Sequence, residues 1–162
     1  MSFAPSSPVT GATVTGLTTP TYTFVEDQAP ASNIRRFVVT TLGGTQTNVE
    51  THSISSPFYL DVSRPVQIKT LPRASALTGQ YPQLPVNEFR VKLVKGATIN
   101  GSIAGASAET QIIFDLRMRV PTGVELTTND PEELKAALSM LGGFIFSNAN
   151  GLNDLVTTGL LK

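Results

Sequence analysis

Residues 109–143 read ETQIIFDLRMRVPTGVELTTNDPEELKAALSMLGG, and this stretch decides the fold. From Gln111 to Val120 the side chains alternate. Ile112, Phe114, Leu116, Met118 and Val120 fall on one face, while Ile113, Asp115, Arg117 and Arg119 fall on the other. A period of two with one apolar and one charged side is the pattern of a half-buried strand. Pro121 and Gly123 end it. Asp130-Pro131-Glu132-Glu133 then opens a helix: an acidic N-cap, proline at the first helical position, and Glu133 placed to complete a capping box. Leu134, Leu138, Leu141 and Ile145 recur at helical spacing, and Ala136 and Ala137 keep the flanking surface slim. The apolar helix needs a sheet to cover.

The chain has 162 residues, a length that one domain accommodates with a core and no disulfides. There is no cysteine, so thiol catalysis, cysteine-based zinc sites and a disulfide framework are excluded. No run approaches the roughly 20 apolar residues of a membrane span. The amino end, MSFAPSSPVTGATVTG, lacks the basic and apolar regions of a signal peptide, so the expected place of synthesis and assembly is the cytoplasm. A formal net charge of zero argues against a generic polybasic binder but not against a localised basic face.

Residues 1–18 are Ser, Thr, Pro, Gly and Ala with hardly a charge, the composition of a flexible arm; the domain proper is expected over 19–162, with strands over about 21–120 and a helical part over about 130–162. Thr21–Glu26 reads as a short strand and Asp27–Asn33 as a loop broken by Pro30. Arg36–Leu42 is a β-branched strand, Gly43-Gly44 supplies a turn, and Thr45–Ser53 returns as the hairpin partner. Phe58–Ser63 and Val66–Leu71 are two strands, or one interrupted at Pro65. Pro72–Asn87 is a long proline-rich connection. In Glu88–Lys95, Phe89, Val91 and Leu93 alternate with Arg90 and Lys92, and Gly96–Ala108 is a small, neutral loop. Beyond the main helix, Gly142-Gly143 interrupts, and Phe144–Phe146 either extend the helix or form a bend. Leu152–Leu161 reads as weakly helical, with extended structure as the alternative.

Strands followed by helices indicate an α+β fold with an antiparallel sheet covered on one side. A helix of roughly 16 residues spans about 24 Å. It cannot cover five or more strands spaced about 4.8 Å apart. A symmetric dimer in which each helix lies across the partner's sheet resolves the shortfall. The residues assigned to that interface are Phe114, Leu116, Met118, Leu134, Leu138, Leu141 and Ile145.

Several stretches in order resemble the coat proteins of the single-stranded RNA bacteriophages, in particular their divergent, levivirus-like environmental members. They are TGLTTPTYTF at Thr15–Phe24, FVVTTLGGT at Phe37–Thr45, SRP at Ser63–Pro65, EFRVKLVKG at Glu88–Gly96 and TTNDPEELKAALSMLGG at Thr127–Gly143. The resemblance spans roughly residues 11–162. It implies an antiparallel sheet with a helical C-terminal part, interlocked homodimers, and an icosahedral capsid around the RNA genome. It also implies recognition of a genomic stem-loop by the sheet face opposite the helices, repressing replicase translation. The implied location is the virion, after assembly in the bacterial host cytoplasm. The loop holding Gly96, Gly101 and Gly105 corresponds to the one that gathers at the symmetry axes in that family; on its own residues it is equally an ordinary mobile hairpin loop.

Alternation points to the same face. If Ile68, Phe89, Val91, Leu93, Phe114, Leu116 and Met118 face the helices, then Lys69, Arg90, Lys92, Arg117 and Arg119 share the opposite side. A dimer axis would double these into a surface suited to a phosphate backbone. The bland alternative is solvated strand protection. Arg73, Arg35 and Arg36 join this face or decorate loops, and Tyr59 and Tyr81 stack on bases or pack against the sheet. Asp115 sits among the cations, where pairing with Arg90, Arg117 or Arg119 would orient them. The lone His52 reads as a surface residue. Nothing assembles a nucleophile with a base, so no catalytic residue, metal, cofactor, membrane or small-molecule substrate is expected. The rival reading is a phage tail or adhesion subunit that packages no RNA.

Overall fold

The computed structural model describes residues 3–100, 107–123 and 131–160. The strands are β1 (Val9–Thr10), β2 (Leu17–Asp27), β3 (Ile34–Gln46), β4 (Phe58–Ser63), β5 (Val86–Asn100) and β6 (Ser107–Pro121), followed by helices α1 (Pro131–Ser147) and α2 (Ala149–Thr158). The strands lie in one antiparallel sheet in chain order, β1-β2-β3-β4-β5-β6. This is the expected α+β architecture. By compactness the chain divides into two units, Met1–Phe24 with Val39–Thr51 and Leu126–Lys162, and Val25–Val38 with His52–Glu125.

The second unit holds β4, β5, β6 and the first part of β3. Its register runs Phe37↔Leu60↔Leu93↔Phe114, with Val62↔Val91↔Leu116 beside it and Phe89↔Met118 beyond. Residues directly opposite in an antiparallel ladder share a face. Phe37, Phe58, Leu60, Val62, Phe89, Val91, Leu93, Phe114, Leu116 and Met118 therefore form one apolar face. Phe37 and Phe58 are buried, whereas Phe114 is 61% exposed. The apolar surface is continuous, but in the single chain its β6 side stays open to solvent.

The β5–β6 ladder runs unbroken from Val86↔Pro121 to Asn100↔Ser107. Strand thus replaces both ends of the loop expected over Gly96–Ala108; its middle, 101–106, lies outside the described residues. Gly96 is buried in β5, where a Cβ would lie 2.7 Å from Ser56 Cα and 2.9 Å from Pro57 Cδ. The glycine is there for close approach of two backbones, not for a turn.

A second correction concerns Val66–Leu71, which forms no strand. β4 ends at Ser63, and an irregular connection runs from Arg64 through Pro65 to Pro85. In place of a ladder, the Lys69 N–H donates to Asn87 Oδ1 at 2.9 Å and Asn87 Nδ2 donates to the Lys69 carbonyl at 3.1 Å. A buried side-chain amide satisfies both backbone groups that a neighbouring strand would have paired. His52 is also structural: its Nδ1 accepts the Phe58 N–H at 3.0 Å, closing the 52–58 bend that leads into β4.

The first unit holds β1, the start of β2, the end of β3 and the helices. Val9 and Thr10 pair with Tyr22 and Thr21. The hairpin expected at Gly43-Gly44 is absent, because β3 continues through both glycines to Gln46. Gly44 has φ 73°, and a Cβ there would press on the carbonyl oxygens of Thr19 and Thr18, the latter at 2.5 Å. Thr19 itself has φ 44°. β2 and β3 kink against one another at this point, and glycine is the residue that permits both the dihedral and the approach. Residues 47–57 form no strand.

α1 continues through Gly142-Gly143, so Phe144–Phe146 extend the helix rather than bend it. α2 begins at Ala149 and ends at Gly159, whose φ is 68° and whose N–H donates to the Leu155 carbonyl. That left-handed glycine cap explains why Leu160 is outside the helix. The expected N-cap Asp130 lies outside the described residues, while Glu132 and Glu133 do occupy the first turn of α1, where the helix dipole favours them.

Candidate nucleic-acid interface

The face of the second unit opposite the apolar one is read from the same register. Across it run the rows Arg36↔Asp61↔Lys92↔Asp115 and Ser63↔Arg90↔Arg117, with Glu88↔Arg119 beyond. Arg90, Lys92, Arg117 and Arg119 are therefore brought together, as alternation along β5 and β6 demanded. Lys69 is not on a strand; it sits in the 64–85 connection, tied to Asn87 by its backbone.

The face is not a uniform basic floor. Asp115 Oδ1 and Oδ2 accept from Arg90 Nε and Nη2 at 2.6 and 2.7 Å, and Oδ2 also accepts from Arg117 Nε at 3.1 Å. Directly opposite Lys92 in the ladder, Asp115 nonetheless pairs diagonally with Arg90. The guanidinium offers a planar two-bond fork where an ammonium offers a point charge. Arg119 Nε donates to Glu88 at 3.1 Å. Arg36 and Asp61 form a second bidentate pair, both bonds 2.8 Å, with the Arg36 guanidinium 4.1 Å from the centre of the Tyr59 ring. Among the described residues no carboxylate lies within 4.0 Å of the Lys92 ammonium.

These contacts set the ionisation of the face. The hydrogen bond from Arg90 holds the Asp115 carboxyl below the usual aspartate range; burial opposes it to a lesser degree, and the bond from Arg117 adds to the lowering. The same Asp115 contact raises Arg90 further above its ordinary value, and Asp61 does likewise for Arg36. Both arginines therefore stay charged across the physiological pH range. The five cations Arg36, Arg90, Lys92, Arg117 and Arg119 outnumber the carboxylates Asp61, Glu88, Glu109 and Asp115 on this face.

Sequence reading missed Asp61 and Glu88 as members of this face, and left Arg36 open between the face and a loop. The signal was present in FYLDVS, where Tyr59, Asp61 and Ser63 alternate with Phe58, Leu60 and Val62. Arg35, by contrast, is on the apolar side by register with Val62, where it pairs with Glu26 and lies over the Phe37 ring. Tyr59 lies on the charged face beneath Arg36, with His52 edge-on at 6.1 Å. Tyr81 stands exposed in the irregular connection.

Of the residues assigned to a dimer interface, Phe114, Leu138 and Ile145 are exposed in the single chain, and Leu116, Met118, Leu134 and Leu141 are half-buried. Met140, Phe144 and Phe146 add further exposed apolar surface to α1. Gly96 is fixed in β5, while Gly101 and Gly105 lie outside the described residues.

No family model matches the sequence, and no curated protein matches it. Among solved structures the chain is similar to the virus-like particle of bacteriophage ESE020, at 34% identity and a TM-score of 0.84 over 99% of this chain and 100% of that one. The fold is also similar to that of the virus-like particle of Beihai levi-like virus 32, at 14% identity and a TM-score of 0.57 over 87% and 88% of the two chains. The virus-like particle of Wenzhou levi-like virus 4 shares it at 16% identity and a TM-score of 0.56 over 98% and 81%.

Proposed function

This chain belongs to the coat proteins of levi-like bacteriophages, the structural subunits of the virion shell, and we propose that it dimerises, closes into an icosahedral particle and packages single-stranded RNA against its charged sheet face. The observation that carries the RNA reading is the convergence of Arg90, Lys92, Arg117 and Arg119 on one side of β5 and β6, with Phe89, Val91, Leu93, Phe114, Leu116 and Met118 on the other. Phosphate contact needs clustered cations that release counterions, not catalysis. A stem-loop of the genome is the specific ligand of this face, and its binding represses replicase translation. Assembly proceeds in the host cytoplasm.

Dimerisation answers the exposed apolar surface. The helix of one subunit lies across the apolar sheet face of its partner, where Phe114, Leu116 and Met118 meet Leu134, Leu138, Leu141 and Ile145. The stretch that contains Gly101 and Gly105, outside the described residues, is the part assigned to the symmetry axes, whereas Val9 and Thr10 of the amino-terminal segment pair with this chain's own β2 rather than with a neighbour. The test is expression of the protein alone, with microscopy and absorbance at 260 and 280 nm on the sedimenting fraction. Closed particles rich in RNA are expected, with RNA content falling in a Lys92→Gln/Arg119→Gln variant. Small RNA-free species from the unaltered chain would overturn the RNA-packaging proposal and favour a subunit that packages none.

A further inference from the structure

The cations of the sheet face are not arranged for the tightest possible grip on RNA. Four carboxylates share the face with them, and one of these, Asp115, touches two arginines at once. It engages the Nε and Nη2 edge of Arg90 and the Nε of Arg117, while both guanidinium groups retain further N–H donors on their Nη nitrogens. Two consequences follow for an anion that reaches this point. The side chains are already oriented, so a phosphate that fits their fixed spacing does not have to order them. A phosphate that fits poorly meets the carboxylate charge without compensation.

We propose that Asp115 is a specificity-determining residue of this face: by bridging Arg90 and Arg117 it fixes the geometry of a phosphate subsite and weakens the binding of RNA whose backbone does not match it. The inference rests on the RNA-packaging reading. It treats Asp115 as a positioning residue, acting through the two arginines. Lys92 occupies the next row without a carboxylate partner among the described residues, and it supplies attraction with no such selectivity. Glu88, at 41% side-chain exposure against 24% for Asp115, holds Arg119 by a single Nε bond and selects less.

The sign of the effect separates this role from a structural one. Asp115→Asn keeps the shape and removes the charge, releasing roughly one cation's worth of attraction. For single-stranded RNA each added phosphate contact steepens the logarithmic salt slope by about 0.7, which corresponds to about fivefold tighter binding at about 0.1 M salt. The expected result for the full-length chain, freed of packaged RNA, is therefore tighter binding of labelled oligouridine by about that factor. A base-paired RNA hairpin gains less, because loss of the fixed guanidinium geometry offsets the gain in charge. Asp115→Glu, which restores the charge, returns the oligouridine affinity and salt slope to their original values.

The proposal is overturned if Asp115→Asn leaves oligouridine affinity and salt slope unchanged or weakens binding, or if hairpin and oligouridine gain equally. Lys92→Gln and Arg119→Gln in the otherwise unaltered chain distinguish this from failure of the underlying reading. If they too leave RNA binding unchanged, RNA does not use this face and both readings fall. If they weaken binding while Asp115→Asn has no effect, only the role of Asp115 falls.

Discussion

Replacing Gly44 with alanine tests the kink between β2 and β3 at its tightest point. Two costs are combined there. A residue with a Cβ held at φ 73° costs about 1–2 kcal/mol relative to the right-handed region. The methyl group must also displace backbone, since the Thr18 carbonyl oxygen would lie 2.5 Å away and the Thr19 carbonyl is in contact as well. Overpacking of this type adds about 1–3 kcal/mol. The lower entropy of the unfolded alanine chain returns about 0.4–1 kcal/mol, so the net loss expected is about 2–4 kcal/mol. Gly16→Ala isolates the first cost. Gly16 has φ 85° with nothing within 4 Å of the point a methyl carbon would occupy, and its carbonyl still accepts the Thr47 N–H. It should lose only about 1 kcal/mol. Urea unfolding of the unassembled protein, at one fixed protein concentration, gives both values. Should Gly44→Ala cost no more than Gly16→Ala, the close approach of the two strands is refuted and only the dihedral matters.

Three further perturbations probe other parts of the chain. Asp61→Ala leaves Arg36 without its bidentate partner at a site where the two side chains are only 24% and 12% exposed; a loss of about 2 kcal/mol in urea unfolding is expected, recovered in part when Arg36 is also replaced by methionine. Gly142→Ala and Gly143→Ala lie inside α1 with open space around them, so each should stabilise the unassembled chain by about 1 kcal/mol and raise its helical circular dichroism. Asp115 has its folded-state pKa depressed by Arg90 and Arg117. Its contribution is therefore present above the ordinary aspartate value and lost as pH falls through the depressed one. The acid limb of the urea midpoint, measured against pH, should be shallower in Asp115→Asn than in the unaltered chain.

β5, β6 and α1 were legible because each announces itself locally. Strict alternation fixed which residues of β5 and β6 share a face, and Pro131-Glu132-Glu133 marked the helix start. The misreadings came where a residue answers to a distant neighbour. Gly43-Gly44 has the composition of a turn, yet Gly44 serves the approach of β2, some 25 residues away in sequence. Gly96 and the small residues after it resemble a loop, but their ladder partners in β6 hold them extended. Val66–Leu71 has strand-like residues, but the Asn87 amide takes the backbone bonds of Lys69 that a strand would have offered. The candidate face was legible in its cations and not in its ion pairs. Asp115 was recognised among the arginines, but the choice of Arg90 over the directly opposite Lys92 depends on diagonal reach across the ladder, which composition does not encode.

The pattern that made β6 easy to read also couples the two roles proposed for this coat protein. Phe114, Leu116 and Met118 face one way and Asp115, Arg117 and Arg119 the other, so a slip of one residue against β5 would exchange the two sets. Such a slip would bury charges where a partner subunit is proposed to dock and expose phenylalanine where RNA is proposed to bind. One register therefore governs the proposed subunit contact and the proposed RNA contact together. Yet no side chain of the strand serves both faces, because successive residues point to opposite sides. Coupling through register and independence through side chains are compatible. Substitutions at Arg117 or Arg119 are expected to alter the proposed RNA affinity without touching the apolar face, and those at Phe114 or Leu116 to weaken the proposed subunit association without altering the charges. Few residues in the single chain are buried outright, Phe37, Val39, Phe58 and Val94 being the hydrophobic ones among those described. With so small a core to offset the entropy of ordering the chain, the sheet that presents the cations is expected to draw stability from the proposed association across its other face.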